Sequence, residues 1–232
     1  MPREKPRHAH PEVGGALSPR WLSDLKARAQ SELKGKPTEA KRVLGELDKR
    51  WLQLSAGAEG FLTGPRWTGL DSHQVVWGDM VSHVNNVMYN RFAESSRVNW
   101  FRNFSKAADP EQKQYWVDLM TPRSIGLILR SIKTDYKLPI VFPDGVTVVH
   151  KLLAKPTYES TNVEMEVIIF SHQHRRAAAR CFEDIVVYDY RVGKKASLEP
   201  FMVDELRTAY ELQEATKQKA VNEILELQRS LA

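Results

Sequence analysis

The sequence predicts an α+β fold: a long central helix wrapped by an antiparallel sheet, with a helical hairpin before it and a helix after it. Three observations carry this. Residues 85–104 place Met88, Phe92, Trp100 and Phe104 at multiples of four, the spacing of one helix face. Four strand-like segments then follow one another between residues 124 and 191 with turn chemistry between them, which implies antiparallel pairing. A hydrophobic content of 42% over 232 residues fills a sizeable core.

Taken in order, residues 1–17 are rich in Pro, His and Gly and read as a mobile arm. Residues 18–66 read as a helical extension. Its first helix opens with Ser18 as N-cap and Pro19 at the first helical position, and its stripe is Trp21, Leu22, Leu25 and Ala29. After the break KGKP, Thr38 caps a second helix with Val43, Leu44, Leu47, Trp51 and Leu54 on one face and Gly57 as its stop. Residues 67–202 form the main domain. HQVVW is a short strand and NNVMYNRFAESSRVNWFRNF the long helix, the one element in that stretch able to cover the sheet. SIGLILRSIKTDYKL, GVTVVHKLLAKPTYE, NVEMEVIIFSHQ and AAARCFEDIVVYDYR are the strands, separated by turns such as PIVFPDG and HQHRR. Residues 203–232 form a C-terminal helix. Its apolar seam runs at alternating steps of three and four from Val203 to Leu231, interrupted by Gln213 and Lys217, and it lies on its own chain or on a partner.

Composition narrows the function classes. No apolar run reaches the length of a membrane span, and the start MPREKPRHAHPEVGG lacks the apolar region of a secretory signal. The single cysteine, Cys181, excludes an intramolecular disulfide and a cysteine-built metal site. These features predict an intracellular protein, cytoplasmic in preference to the mitochondrial matrix, because Glu4, Glu12 and Asp24 are unusual in a transit segment. The net charge of +5 is mostly N-terminal and forms no basic block with interleaved aromatics, so nucleic acid is not an expected partner.

One stretch concentrates chemistry. WGDM..SHVNNVMYNRFAESSRVNWF sets an acid, a histidine, two asparagines, a tyrosine, an arginine and a second acid around a strand-to-helix junction. It resembles the hydroxybenzoyl-CoA thioesterase group of hotdog proteins, whose members carry W-G-D-M-D-x-x-x-H-V-N-N-x-x-Y-x-R-[FY]-x-E-x-x-R, and most closely a fungal thioesterase-like subgroup. GLILRSIKTDYKLPIVFPDGVTVVHKL and RCFEDIVVYDYRVGKKASLEPF are similar to the remaining strands, so the likeness covers roughly residues 70–205. The resemblance implies hydrolysis of an acyl thioester, acyl-CoA or acyl-carrier, without a cofactor. It also implies a homodimer or higher homo-oligomer joined edge to edge, with sites at the subunit boundary. One departure stands out. Only Val81 and Ser82 separate Met80 from His83, two residues fewer than the pattern, and the second acid, catalytic in many relatives, is missing.

Thioester hydrolysis needs a base or nucleophile near the carbonyl carbon and donors aimed at the oxygen that becomes negative. The helix N-terminus around Asn85, Asn86, Val87, Met88 and Tyr89 is the candidate substrate site, because its amides and dipole favour negative charge. Asp79, His83 and Glu94 are the candidate catalytic groups. A structural reading stands beside each of them. Asp79 can bond loop amides, Asn85 or Asn86 can cap the helix, Glu94 can pair with Arg91 or Arg97, and Tyr89 and Trp100 can be core aromatics. Arg175 and Arg176 are weak candidates for CoA phosphates. His172 and His174 have no matching Asp/Cys cluster and read as a hairpin tip, not as metal ligands. Cys181 reads as a buried thiol. The rival functions are an inactive hotdog subunit docked in a larger assembly and another thioester-processing step such as dehydration.

Overall fold

The computed structural model describes residues 20–79 and 82–231. The expected arm at 1–17, the cap Ser18 and Pro19 lie outside the described residues, as do Met80 and Val81. Two compact units divide the chain, one taking the residues up to Lys49 and from Leu227, the other Arg50–Glu226.

In the first unit, α1 (Trp21–Ser31) buries Trp21, Leu25 and Ala29, three of the four residues of its predicted stripe. The N-terminal part of α2 (Pro37–Ala58) buries Ala40, Val43 and Leu47. Arg28 donates to the Leu231 carbonyl at 3.1 Å.

In the second unit the order is β1 (Thr68–Gln74), a 3-10 turn (Trp77–Asp79), α3 (Asn86–Ala107), α4 (Pro110–Asp118), β2 (Ile125–Tyr136), β3 (Gly145–Leu152), β4 (Asn162–Ser171), β5 (Arg176–Asp189), β6 (Lys194–Lys195) and α5 (Pro200–Arg229). The sheet runs β1-β3-β4-β5-β2 with antiparallel pairing throughout, and β6 adds to β5. It curls around α3, which packs on β1, β3 and β4. This is the hotdog fold. Inner-facing side chains alternate along the strands. Val146, Val148, Val167, Ile169 and Cys181 pack with Tyr89, Phe92 and Ala93 under the first half of α3. Met165, Ile185 and Val187 pack with Trp100, Phe101 and Phe104 under the second half.

The other sheet face is also covered. Val149, Ile168 and Phe170 meet Ala56 and Phe61, with Trp51 against Phe170 edge to face. Burial on both faces explains why VTVVHKLL and VIIF read as continuous apolar runs instead of alternating. A charged chain closes the margin, in which Arg180 pairs with Glu59 and Glu166, and Lys151 with Glu166.

Several sequence expectations change. The first strand starts earlier than HQVVW and stops before Val75, since the chain must leave the sheet to form the 3-10 turn. Thr38 lies inside the first turn of α2 and not at its cap. Gly57 does not stop that helix, which runs on to Ala58 before the chain turns at Gly60, where φ is +85°; Gly57 instead lets α5 approach, with Ala220 Cβ 3.0 Å from where its own Cβ would stand. The long helix is not the only cover for the sheet, because α4 contributes Trp116, its C-cap Leu119 follows, and α5 contributes Met202, Val203, Leu206 and Ala209 to the same core. Gln213 breaks the apolar seam of α5 for a reason visible only in three dimensions. Its amide accepts from the Leu152 N–H at 2.9 Å and donates to the Leu152 carbonyl at 3.1 Å, doing for the end of β3 what a neighbouring strand would do.

At β1 the ladder is irregular between Thr68 and Leu70, and α3 takes up the carbonyls displaced there. Asn99 donates to the Gly69 carbonyl at 3.0 Å, and Asn103 to that of Thr68 at 3.3 Å. A Cβ on Gly69 would stand 2.1 Å from the Ser96 carbonyl oxygen, so only glycine lets strand and helix meet here. Gly69→Ala should therefore cost about 1–3 kcal/mol as for an overpacked core, on the order of 3–10 °C in melting temperature. Gly45→Ala, at a helical position with nothing within 4 Å, should leave the melting temperature unchanged or raise it. Thermal unfolding followed by circular dichroism checks both.

Candidate functional site

The strand-to-helix junction is held from below by the loop between β2 and β3. The Val75 amide donates to the Asp144 carbonyl at 2.9 Å, and the Val84 amide to that of Ile140 at 2.8 Å. Tyr89 completes the tie. Its phenol accepts from the Ile140 amide at 3.0 Å and donates to the Leu138 carbonyl at 3.3 Å, so the hydroxyl is engaged by main chain, and burial raises its pKa. Tyr136 packs edge to face on Tyr89 and donates to the Asn86 carbonyl at 3.3 Å.

Within this frame Asp79 ends the 3-10 turn. Its Oδ2 accepts from the Val76 amide at 3.2 Å and its carbonyl from the Asn85 amide at 2.9 Å. The carboxylate is thereby oriented while remaining half exposed. Ser82 has φ of 103°, a region a serine enters only under constraint, so the shortened loop stores strain beside the helix mouth. His83 is exposed on that loop.

Asn85 is the helix cap. Its Oδ1 accepts from the Val87 amide at 3.1 Å, and its carbonyl accepts from Met88 at 2.9 Å. Two of the amides expected to face substrate are thus engaged, which leaves Asn86 N–H as the candidate donor for a developing oxyanion. Val87 is exposed and Met88 half-buried at the same mouth. Around them lies an apolar rim of Val76, Trp77, Val141 and Phe142, with Trp77 72% exposed and edge to face with Phe142 at 5.7 Å.

Asp79, Asn85, Asn86, Val87 and Met88 therefore gather at one place. Glu94 lies two turns further along α3 and is exposed. The expected pairing of Glu94 with Arg97 does not form, because Arg97 turns inward to Glu183 on β5 at 2.5 Å. Arg91 instead lies beside the Met88 sulfur at 4.0 Å. Arg175, at φ 50°, and Arg176 sit at the β4–β5 turn. Asp144 ties that turn to the same end of the sheet, accepting from the Gln173 amide at 2.9 Å and from Ser171 Oγ at 2.6 Å.

His172 and His174 go to different partners, Thr147 at 2.7 Å and Ser171 at 3.0 Å. Among the described residues no group of three or more His, Cys, Asp or Glu is arranged to hold a metal ion. Cys181 is buried as expected, and burial pushes its thiol up to about 11. Sequence reasoning missed Tyr136 and Asp144. Their roles depend on which strands pair, and only the turn PIVFPDG marked that Asp144 ends a loop.

The family model of the thioesterase-like superfamily matches residues 75–206. No curated protein sequence matches. Similar solved structures include a thioesterase from Thermus thermophilus complexed with coenzyme A and Zn, at 19% identity, covering 59% of this chain and 90% of that one with a TM-score of 0.45. The DHNA-CoA thioesterase from Staphylococcus aureus is 13% identical, with coverage of 63% and 90% and a TM-score of 0.46. YbaW from Escherichia coli is 23% identical, with coverage of 60% and 94% and a TM-score of 0.45.

The cap can be tested apart from any activity. Asn85→Ala should cost about 0.5–2 kcal/mol and fray the first turn of α3. Faster amide hydrogen exchange at Val87 and Met88, with slow exchange retained beyond Phe92, is the expected pattern.

Proposed function

The chain belongs to the thioesterase-like superfamily, and from that premise we propose that it hydrolyses an acyl thioester, acyl-CoA or acyl-carrier, to free acid and thiol. The observation that carries the reading is the span of the family match. It runs from the end of β1 to the start of α5 and so contains the whole junction of Asp79, His83, Asn85 and Asn86.

In this reading Asp79, already oriented by the Val76 amide, takes the proton of an attacking water or attacks the carbonyl carbon itself. His83, exposed on the adjoining loop, polarises the carbonyl or serves as base in its place. The Asn86 amide and the positive end of α3 receive the developing oxyanion. Glu94 is the third candidate. Arg175 and Arg176 supply cations at the same end of the sheet for the phosphates of a CoA-like thiol.

Homodimerisation belongs to the same proposal. It is supported by the edge position of β2, beside which no further strand lies among the described residues, and by the apolar rim of Trp77 and Phe142 at the site. Among the described residues no helix is long and apolar enough to cross a membrane. An intracellular setting is supported by the single cysteine, and cytoplasmic before mitochondrial by the early acids Glu4, Glu12 and Asp24.

A second reading has its own observation. The missing second acid, together with the engagement of Val87 and Met88 amides by Asn85, suits a subunit that has kept the fold and lost the reaction. Purified protein assayed for thiol release on a panel of acyl-CoA thioesters decides between them. Asp79→Asn should lower turnover by roughly a hundredfold or more at unchanged melting temperature, the usual worth of a general base. If His83→Ala produces that loss and Asp79→Asn is mild, the histidine holds the role. Absence of hydrolysis across the panel by the wild type would establish the inactive-subunit reading, and a monomer in light scattering would remove the shared site.

A further inference from the structure

Where the middle of α3 meets the inner face of the sheet, four polar side chains stand where apolar ones would be expected, Ser96 and Arg97 from the helix and His150 and Glu183 from β3 and β5. Ser96, His150 and Glu183 are each at most 1% exposed, and Arg97 is 8% exposed. Ser96 Oγ donates to the Val148 carbonyl at 3.1 Å and lies 3.2 Å from His150 Nδ1. A hydroxyl has one proton to give. With that proton on Val148, Ser96 accepts from the ring, so Nδ1 carries the hydrogen of the neutral imidazole and Nε2 is a bare acceptor. That atom faces Glu183 Oε2 at 3.8 Å, and among the described residues neither has a hydrogen-bond partner. Glu183 Oε1 is already taken by Arg97. Two acceptors confronting each other in the interior are costly to both unless a hydrogen lies between them.

We propose that the Ser96–His150–Glu183–Arg97 cluster binds one structural proton, carried on Glu183 Oε2 and directed at His150 Nε2, and that this proton latches α3 to the sheet in mildly acidic and neutral solution. The proton comes from solvent and returns to it. Its surroundings favour it. Burial pushes Glu183 up to about 7 against the pull of Arg97, and the charge of Glu94, also on α3, adds to the rise. Burial, then Arg97, drives His150 down to about 3, so the ring stays neutral and able to accept. Cys181, two residues before Glu183 on β5, is held uncharged by burial. The strand neighbours of Glu183, Met165 on β4 and Ile132 on β2, are apolar, as is Val167 opposite His150; β1 brings only the backbone of Gly69 against Ser96.

The pH dependence follows from these two directions. Glu183 holds its proton more tightly folded than unfolded, so its contribution is complete below the ordinary carboxylate value of 4.5 and is lost as pH rises through about 7. His150 refuses a proton that the unfolded chain accepts, so its contribution is complete above 6.5 and is lost as pH falls toward 3. Between those ordinary values the slopes oppose each other and give a plateau, with falling stability on both sides.

Glu183→Gln in the full chain is the decisive variant, because the amide copies a protonated carboxyl, its N–H toward His150 and its carbonyl toward Arg97. At pH 6 it should melt no more than roughly 2 °C below wild type, and it should lack the loss that wild type shows between pH 6 and pH 8. Glu183→Ala, which removes the donor and strands Arg97, should melt lower at both pH values. If Glu183→Gln falls as far as Glu183→Ala at pH 6, Arg97 needs a carboxylate there and the proposal is overturned. Nitrogen-15 shifts of the wild-type histidines give an independent decision. His150 should be neutral with its hydrogen on Nδ1 at pH 6, and an Nε2-protonated or doubly protonated ring would overturn the proposal equally.

Discussion

The burial of α3 in the curl of the sheet is the constraint on which the rest of the second unit depends. A helix that carries Met88, Phe92, Trp100 and Phe104 along one face must lose that face from water, and the inner rows of β3, β4 and β5 supply the matching surface. Contact this close leaves little tolerance at the crossing. Gly69 is a glycine because the backbone of β1 rests on Ser96, and Asn99 and Asn103 are asparagines because the irregular strand leaves carbonyls that only α3 can reach.

The same accounting of main-chain polar groups explains features remote from the crossing. At Leu152 the end of β3 has β4 on one side but has run past its pairing with β1 on the other, and Gln213 supplies both bonds there from a buried position. The second face of the sheet, clothed in Val149, Ile168 and Phe170, is removed from water by Ala56, Phe61 and Trp51. Trp51, Ala56 and Phe61 are in this sense part of the sheet's own core.

At the helix mouth structural and chemical demands compete for the same groups. Asn85 satisfies two first-turn amides and so withdraws them from substrate, while Asp79 is held at a fixed angle by the Val76 amide. Between them, Ser82 takes left-handed backbone. In the reading proposed above, Asp79, the solvent-facing His83 and the Asn86 amide, beside the exposed Trp77 and Phe142, are the groups that would add water to a carbonyl.

How much of this was legible in the chain divides along a physical line. Periodicity is a local property, so the 3.6-residue repeat from Met88 to Phe104 and the strand runs between turns announced the central helix and the four long strands from the residues alone. Asn85 as a cap was readable for the same reason, since a cap bonds within three residues. The nine-residue α4 had its Pro110 start signal but too weak a repeat to be noticed. Whatever depends on register was hidden. Glu183 shares the inward parity of Cys181, Ile185 and Val187, and His150 that of Val146 and Val148, which could have marked them as polar groups in a core row. That they face each other across β4, and that Arg97 turns to Glu183 and away from Glu94, follows only from which strands pair and at what offset. The same holds for Gly57 and Gln213, whose neighbours lie more than 60 residues away in the chain. The sequence by itself determined which segments would be helix or strand, because each residue's propensity and spacing act over a few neighbours. The tertiary structure alone decided which polar groups would meet, because contacts between distant segments are set by packing the whole core at once.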